Sequence, residues 1–465
     1  MSHLVYLGRK IPCADVPDTL RFAALRLGPA LARGRWLPQR WAARLTGRHG
    51  AVRRSTALLD RFRDRYGDAV RVRGPRGPVL VLLTPAAVRR VLGDPVPGAG
   101  GAGAVGADVG AGGSGCAGDA VRRGGAAGGR PDGGLALSWG AASRAGDRRF
   151  PGDVADRHPR TDAVRRVICE EAGRLVAARA VLTWAVFQNA VDRMARRIVL
   201  GDPAAGDTEV TGLYLELGAE GHGSRPPGVD AAWPGARRRA ERALAVRERL
   251  ADRLGSYLDA AVPGGVAEAA IDPPRCAVTG GGTDTGREKV VGQVAHWFLA
   301  FDILAGVALT TLVVLAGERD LADRARKDPD VARACVLETL RLWPPARDLF
   351  RDSCREVDWG GEVLPAGTRL LVPAVFGHGD RRTVAEPDAF LPDLRDPSPE
   401  AGFFPFDLGE PVCAGRDLGV LMTTELVGQL LDRAGFRLLS AGLPVRGPLP
   451  RVLDPGAFRL AVSER

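Results

Sequence analysis

The sequence is short of aromatic residues, of paired cysteines and of repeated long apolar runs, and each shortage removes a class of protein. Aromatics make up 6% of 465 residues, with four Tyr among them. The net charge of +10 comes almost entirely from Arg spread along helical segments and seldom interleaved with aromatics. Nucleic-acid surfaces combine a basic track with stacking side chains, so no nucleic-acid partner is expected. The charge reads instead as a solvated Arg-rich surface, or as a docking face for an acidic protein. The seven cysteines (Cys13, Cys116, Cys169, Cys276, Cys335, Cys354, Cys413) form no CxxC pair and keep no regular spacing. That pattern argues against a disulfide framework and a zinc ribbon. With no secretory signal in view, the expected compartment is the reducing cytoplasm.

One apolar run does reach bilayer length, HWFLAFDILAGVALTTLVVLAG at 296–317. Asp302 lies inside it, and an unpaired carboxylate there costs about 2.5–3.5 kcal/mol in lipid. A helix buried on all sides of a large protein gives the same signature. The expectation is such a core helix and no transmembrane segment.

What is present reads as mainly α with a small β portion. Residues 56–92 predict helix, strand, turn, strand, helix: Leu58, Leu59, Phe62 and Tyr66 have helical spacing, Val70 and Val72 alternate with Arg, and Val79–Leu83 is a second strand. Residues 1–55 form an Arg-rich segment ahead of a domain at 56–465. Two Gly-rich stretches interrupt that domain, 98–134 and 263–286. The first holds 16 Gly in 37 positions and has little to bury. It reads as a flexible linker or as GC-rich DNA translated out of frame. Helices resume from about Asp162. After Pro345 the pattern turns to strands, with a Gly-Gly hairpin turn and a Pro-x-Gly turn in EVDWGGEVLPAGTRLLVPAV.

Two motifs carry chemistry. In FPFDLGEPVCAGRDLG (404–419) a lone thiol, Cys413, precedes a helix whose apolar stripe is Leu418, Met422, Leu426 and Leu430, with Gly435 as a C-cap. A helix N-terminus stabilises a thiolate. Gly409 and Gly415 let the backbone approach a flat group, and Phe406 packs beside the sulfur. A thiolate without a His or Cys partner suits an axial ligand to haem iron, although a buried inert thiol gives the same local pattern. The second motif is ETLRLWPP, where Glu338 and Arg341 share one helix face among Leu337, Leu340, Leu342 and Trp343. Such a pair is either a surface i,i+3 contact of about 0.2–0.5 kcal/mol or a buried pair with fixed partners.

ExxR followed by FxxGxxxCxG resembles the cytochrome P-450 family of haem-thiolate monooxygenases, and the order of elements agrees from about residue 56 onward. The resemblance implies the fold of a soluble bacterial member with one haem b. Cys413 would ligate the iron, Phe406, Gly409 and Gly415 would shape the loop, and Glu338 and Arg341 would hold it in place. Arg351 and Arg148 would meet the haem propionates. The activity implied is insertion of one oxygen atom from O2 into an apolar organic substrate, with electrons from NAD(P)H through a ferredoxin-type partner. The long helix would cross the distal haem face. There the family's acid and alcohol positions fall on Ala308 and Leu309, with Thr310 displaced by one residue and Asp302 a turn earlier. Asp302 and Thr310 are therefore the candidate proton carriers, Asp302 being equally readable as a carboxylate satisfied within the core. Two further departures are Pro411, where the family has a basic residue, and Ala389 in PDAF, where arginine is common. The latter predicts a weakened network around Glu338 and Arg341. A haem-binding relative with peroxide-driven or isomerase-like activity, or a degenerate inactive one, are the alternatives.

Overall fold

A buried charge pair stitches the N-terminal layer of the protein to its C-terminal half. The structure is a computed structural model that describes residues 10–27, 48–74, 77–92, 105–108, 161–178, 181–221, 236–259, 285–353, 356–359, 361–365, 368–394, 402–406, 416–440, 443, 448–451 and 453–464. Near the N-terminus, α1 (Val16–Phe22) starts at Asp15, whose carboxylate accepts from the Asp18 N–H, with a proline in the first turn. The next helix, α2 (Arg48–Tyr66), runs continuously through residues 55 and 56. Its Leu58, Leu59 and Phe62 pack with Ala14 and Phe22 in one cluster. On the same helix Arg63 reaches Asp380 at 2.5 Å, their side chains 5% and 4% exposed, and lies over the Phe376 ring at 5.0 Å.

The predicted strand–turn–strand unit is present as β1 (Ala69–Gly74) and β2 (Gly77–Leu82), an antiparallel hairpin followed by α3 (Pro85–Leu92). Gly77 takes φ +109°, which only glycine adopts without strain. Within 98–134 the described residues are β3 (Val105–Asp108), and of 263–286 they are Thr285 and Gly286 at the start of a helix; the remainder of both stretches lies outside the described residues. The principal sheet has the order β1-β2-β8-β5-β3, where β5 is Leu349–Ser353 and β8 is Arg369–Val372. Strand β2 pairs with β8 in parallel, Val79 opposite Arg369, and β5 pairs antiparallel with both β8 and β3. The Gly-Gly hairpin joins β6 (Val357–Asp358) to β7 (Val363–Leu364). A third sheet joins β4 (Leu182–Thr183), β10 (Arg459–Ser463) and β9 (Gly435–Leu438).

Helices supply the rest: α4 (Thr161–Ala177), α5 (Trp184–Leu200), α6 (Thr208–Gly221), α7 (Ala236–Asp259), α8 (Thr285–Gly317), α9 (Arg319–Lys327), α10 (Pro329–Leu342), α11 (Ala374–His378) and α12 (Arg416–Arg433). The apolar run at 296–317 is the C-terminal two thirds of α8. Trp297–Gly317 has a mean hydropathy of 2.3 and is 72% buried. Phe298, Ala305, Ala308, Leu309 and Leu312 sit in the largest core cluster, which α5, α6, α7, α10 and α12 also build. Next to this core, Glu171 of α4 accepts from Arg193 at 2.7 Å and Arg197 at 2.8 Å on α5, locking the two helices together. The apolar stripe of α12 is as expected, with Met422, Leu426 and Leu430 buried. Gly435 is not a cap: the helix ends with Ala434 donating to the Leu430 carbonyl, and Gly435 opens β9.

Removing one partner of a buried ion pair typically costs about 3–5 kcal/mol, because the other charge is stranded. Asp380→Ala should lower unfolding free energy by that order in a urea titration, whereas truncating the exposed Arg382–Asp64 pair should change it by less than about 1 kcal/mol.

Candidate functional site

Residues Glu338–Leu342 of ETLRLWPP are the C-terminal part of α10, whose N-cap Asp328 accepts from the Asp330 N–H with Pro329 in the first turn. The helix delivers Glu338 and Arg341 to the interior, with side chains 1% and 5% exposed. Arg341 donates from Nε and Nη2 to the two Glu338 carboxylate oxygens at 2.7 and 2.8 Å. Its other donors reach the carbonyls of His378 (3.2 Å), Pro387 (2.9 Å) and Ala389 (3.0 Å). All five guanidinium N–H groups are thus engaged. Glu338 also accepts from the Leu391 N–H at 3.0 Å. The weakening predicted from Ala389 does not extend to this contact, because Arg341 binds the carbonyl of residue 389 and needs no particular side chain there.

The clamp continues through His378. This fully buried imidazole accepts from the Phe404 N–H at Nε2, 3.1 Å away, and lies against the Phe403 and Phe404 rings. Its Nδ1 has no hydrogen-bond partner among the described residues. Burial, reinforced by the nearby Arg341 charge, pushes its pKa down to about 3. Arg341 and His378 together fix residues 378, 387, 389 and 404, the stretch of chain that leads into the Cys413 loop.

Cys413, Gly409 and Gly415 lie outside the described residues, as does Arg148. Both flanks of the loop are placed. Phe406 packs with Val307 of α8, Val336 and Leu340 of α10 and Phe403 in one apolar cluster. On the other flank, α12 begins at Arg416. Among the described cysteines, Cys335 is buried in the core with its thiol pushed up to about 12 by burial, Cys13 is exposed, and Cys169 lies 3.1 Å from an Arg433 nitrogen. None of these three lines the cavity described next. Arg351 sits on β5, with Ala107 of β3 and Leu370 of β8 as its strand neighbours.

A cavity of about 280 Å3 lies between α8, the end of α10 and the C-terminal segment. From α8 it is lined by Asp302, Ile303, Gly306, Val307 and Thr310, which recur at helical spacing on one face. Thr339 and Trp343 close the α10 side, and Arg347 and Arg451, the latter paired with Asp388 at 2.7 Å, complete the wall. Trp343 is anchored by its indole N–H donating to the Pro450 carbonyl at 2.8 Å. The hydroxyls of Thr311 and Thr339 meet at 2.9 Å and hold α8 against α10 beneath the cavity. Ala308 and Leu309 face the opposite way, into the main core. Thr310, displaced by one residue in the sequence reading, is therefore the hydroxyl-bearing residue that α8 presents to the cavity, one turn after Gly306. Asp302 is half-buried, and burial raises its carboxyl above the ordinary range. Sequence reasoning singled out neither Arg347 nor Arg451 nor His378. The last sits in GHGDRR, with no spacing that marks it.

The surroundings fit a large flat group bearing carboxylate arms. The wall combines apolar Ile303, Val307, Leu453 and prolines with two arginines, and Val307 joins it to the cluster holding Phe406 at the start of the Cys413 loop.

Comparisons with known proteins agree with this layout. The cytochrome P450 family model matches residues 312–443. Cytochrome P450 734A5 of Oryza sativa subsp. japonica is 28% identical over 194 residues, which is 36% of this chain and 35% of the rice protein. Cyclooctat-9-en-7-ol 5-monooxygenase of Streptomyces melanosporofaciens is 30% identical over 139 residues, 27% of this chain and 30% of that protein. The matched region thus spans about a third of these relatives. A zebrafish cytochrome P450 solved with progesterone superimposes with a TM-score of 0.63 at 17% identity, covering 88% of this chain and 99% of that one. A retinoic acid-bound cyanobacterial CYP120A1 does so with 0.61 at 14%, covering 88% and 94%. These structures share the fold.

His378 yields a pH prediction. An unfolded histidine titrates near 6.5, whereas this one resists protonation until about pH 3. Its contribution is complete above about pH 6.5 and is lost as pH falls from there toward 3, because the unfolded chain binds the extra proton. His378→Gln keeps an acceptor for Phe404 without a titrating group. The unfolding free energy of the wild type should fall by about 1.4 kcal/mol more than that of the variant between pH 7.5 and 5.5.

Proposed function

Because the chain belongs to the cytochrome P450 family, we propose that it is a haem-thiolate monooxygenase that inserts one oxygen atom from O2 into an apolar organic substrate. The observation that carries this reading is the saturated Glu338–Arg341 clamp, which fixes the chain entering the Cys413 loop. The family resemblance of that loop and the cavity beside it support the reading further.

Cys413 would hold haem b through its thiolate, framed by Phe406, Gly409 and Gly415, with Arg351 and Arg148 meeting the propionates. When bound, the haem supplies dioxygen activation, which its thiolate ligand favours by promoting O–O cleavage. The chain's own part is orientation, water exclusion and proton handling. Ile303, Val307, Trp343 and Leu453 wall the cavity and favour an apolar substrate. The Thr310 hydroxyl and the Asp302 carboxyl, on one face of α8, are positioned to hold and pass protons there. Their presence at the cavity favours the monooxygenase over a peroxide-driven or isomerase-like activity. Electrons would come from NAD(P)H through an acidic ferredoxin-type protein docking near Arg416, whose side chain is 54% exposed at the start of α12. The setting would be cytoplasmic.

Cys413→Ala should abolish the thiolate-type red-shifted Soret band of the reduced, carbon monoxide-treated protein. Retention of that band would remove Cys413 as the ligand and the proposed activity with it. A second expectation separates Thr310 from its core-facing neighbour Leu309. Thr310→Ala should divert reducing equivalents to peroxide and lower product per NAD(P)H consumed, while Leu309→Ala should leave that ratio unchanged and instead destabilise the fold by about 2–5 kcal/mol.

A further inference from the structure

The cavity beside α8 holds one carboxyl group that nothing in the fold neutralises. Asp302 is the single acid among the described residues that line it. No hydrogen bond or ion pair among the described residues reaches its carboxyl, and burial alone raises its titration. The deeply buried acids elsewhere behave differently: Glu171, Glu338 and Asp380 each face an arginine, at 2.8, 2.7 and 2.5 Å. Arg451 of the cavity wall is held by Asp388 at 2.7 Å. It also packs so closely over Gly379 that an added Cβ there would fall 2.7 Å from its Nη1. Neither it nor Arg347 pairs with Asp302. A carboxylate half out of water without a partner is a cost that the fold carries and does not offset.

The same cavity is lined by Trp343, whose indole N–H is spent on the Pro450 carbonyl at 2.8 Å, so its ring is fixed in the wall. Ile303, Val307 and Leu453 make much of the remaining wall apolar. A carboxylate and an indole on an otherwise apolar wall are the combination that recognises an ammonium group. The carboxylate attracts the charge, the electron-rich face of the ring holds it, and the apolar wall takes the rest of the molecule. We propose that the cavity takes an amphipathic amine, with its cationic nitrogen paired to Asp302 and its apolar body lying along α8 toward Thr310.

An ammonium group supplies the partner that the fold omits, and the pairing favours the ionised carboxylate against the opposing effect of burial. A protonated amine seated there still carries an exchangeable proton, so the pairing leaves a proton available at this end of the cavity. Asp302 and Thr310 are two turns apart on one face of α8, about 12 Å along the helix axis. The nitrogen is thereby held away from the Thr310 hydroxyl, and the part of the molecule opposite that hydroxyl is a carbon several bonds from the nitrogen. An acid of the same shape is disfavoured, because its carboxylate would meet the Asp302 charge. Asp302 is in this way the residue that sets specificity.

The inference rests on the proposed function for the cavity's role as a substrate site, but its test reads binding and needs no turnover. Phenyltrimethylammonium and tert-butylbenzene have the same shape and differ in charge, and the quaternary nitrogen has no lone pair with which to ligate iron. In calorimetric titration of the intact purified protein, the ammonium should bind and be displaced by tert-butylbenzene. Asp302→Asn should weaken the ammonium about tenfold and leave the affinity for tert-butylbenzene unchanged. An ammonium that does not bind the wild type, that tert-butylbenzene does not displace, or that binds the Asn variant equally well would overturn the inference. Because Asp302 has no partner to lose, the Asn variant should melt no lower than the wild type. A variant that unfolds would reveal a structural contact and overturn the inference as well. The carbon monoxide spectrum separates this result from the proposed function. A protein without the thiolate-type band that keeps the Asp302-dependent preference retires the monooxygenase and keeps the amine site, and the reverse outcome keeps the monooxygenase and removes the amine site.

Discussion

The structure depends on burying one guanidinium without leaving any of its protons unpaired. A charge taken out of water is tolerated only when its partner charge and its hydrogen bonds are all supplied. Arg341 meets that condition with the Glu338 carboxylate and three backbone carbonyls. Those carbonyls belong to His378, which ends α11, and to Pro387 and Ala389 in the irregular chain beyond it. The arginine therefore serves as a template on which a segment with little regular secondary structure is laid down. His378 extends the template to Phe404, and Phe403 and Phe406 then close against α8 and α10. Remote elements attach to the same segment, with Arg63 of α2 gripping Asp380 and Arg451 gripping Asp388 at 2.7 Å.

The long helix α8 is the second organising element, and its two faces have opposite duties. One face is packed into the main core and carries Ala305, Ala308, Leu309 and Leu312; the other carries Asp302, Gly306 and Thr310 to the cavity. A shift of one residue moves a side chain about 100° around a helix, which is why the identity of a single position decides whether a hydroxyl is buried in hydrocarbon or offered to a reactant. Thr311 illustrates the contrast: its hydroxyl is spent on the Val307 carbonyl and on Thr339, joining two helices.

Much of this was legible in the sequence where the signal was local. The helix–strand–turn–strand–helix unit of 56–92 follows apolar spacing and a Gly/Pro turn, and the buried nature of the Glu338–Arg341 pair follows from the leucines around it. The orientation of Thr310 was not legible, because motif spacing fixes order along the chain but not rotation about a helix axis. The Arg63–Asp380 pair was equally hidden, since nothing near either residue marks a partner so distant in sequence. Residues more than 250 positions apart meet in β4, β9 and β10, pairings that short strands of two to five residues do not announce.

The parallel pairing of β2 with β8 bears on biosynthesis. Parallel strands require a crossover, and here the crossover contains most of the protein, including α4 to α10 of the helical core. On the ribosome, the β1–β2 hairpin emerges early with one edge unpaired, and its neighbour becomes available only after α10 has been made. Such long-range closure slows folding and exposes strand edges meanwhile. Helices α4 to α10 are made before β8, but α12, which completes their core, follows it, so a nascent chain carries an incompletely covered interior as well as an unpaired edge, and that interval is when a chaperone would be most useful to it.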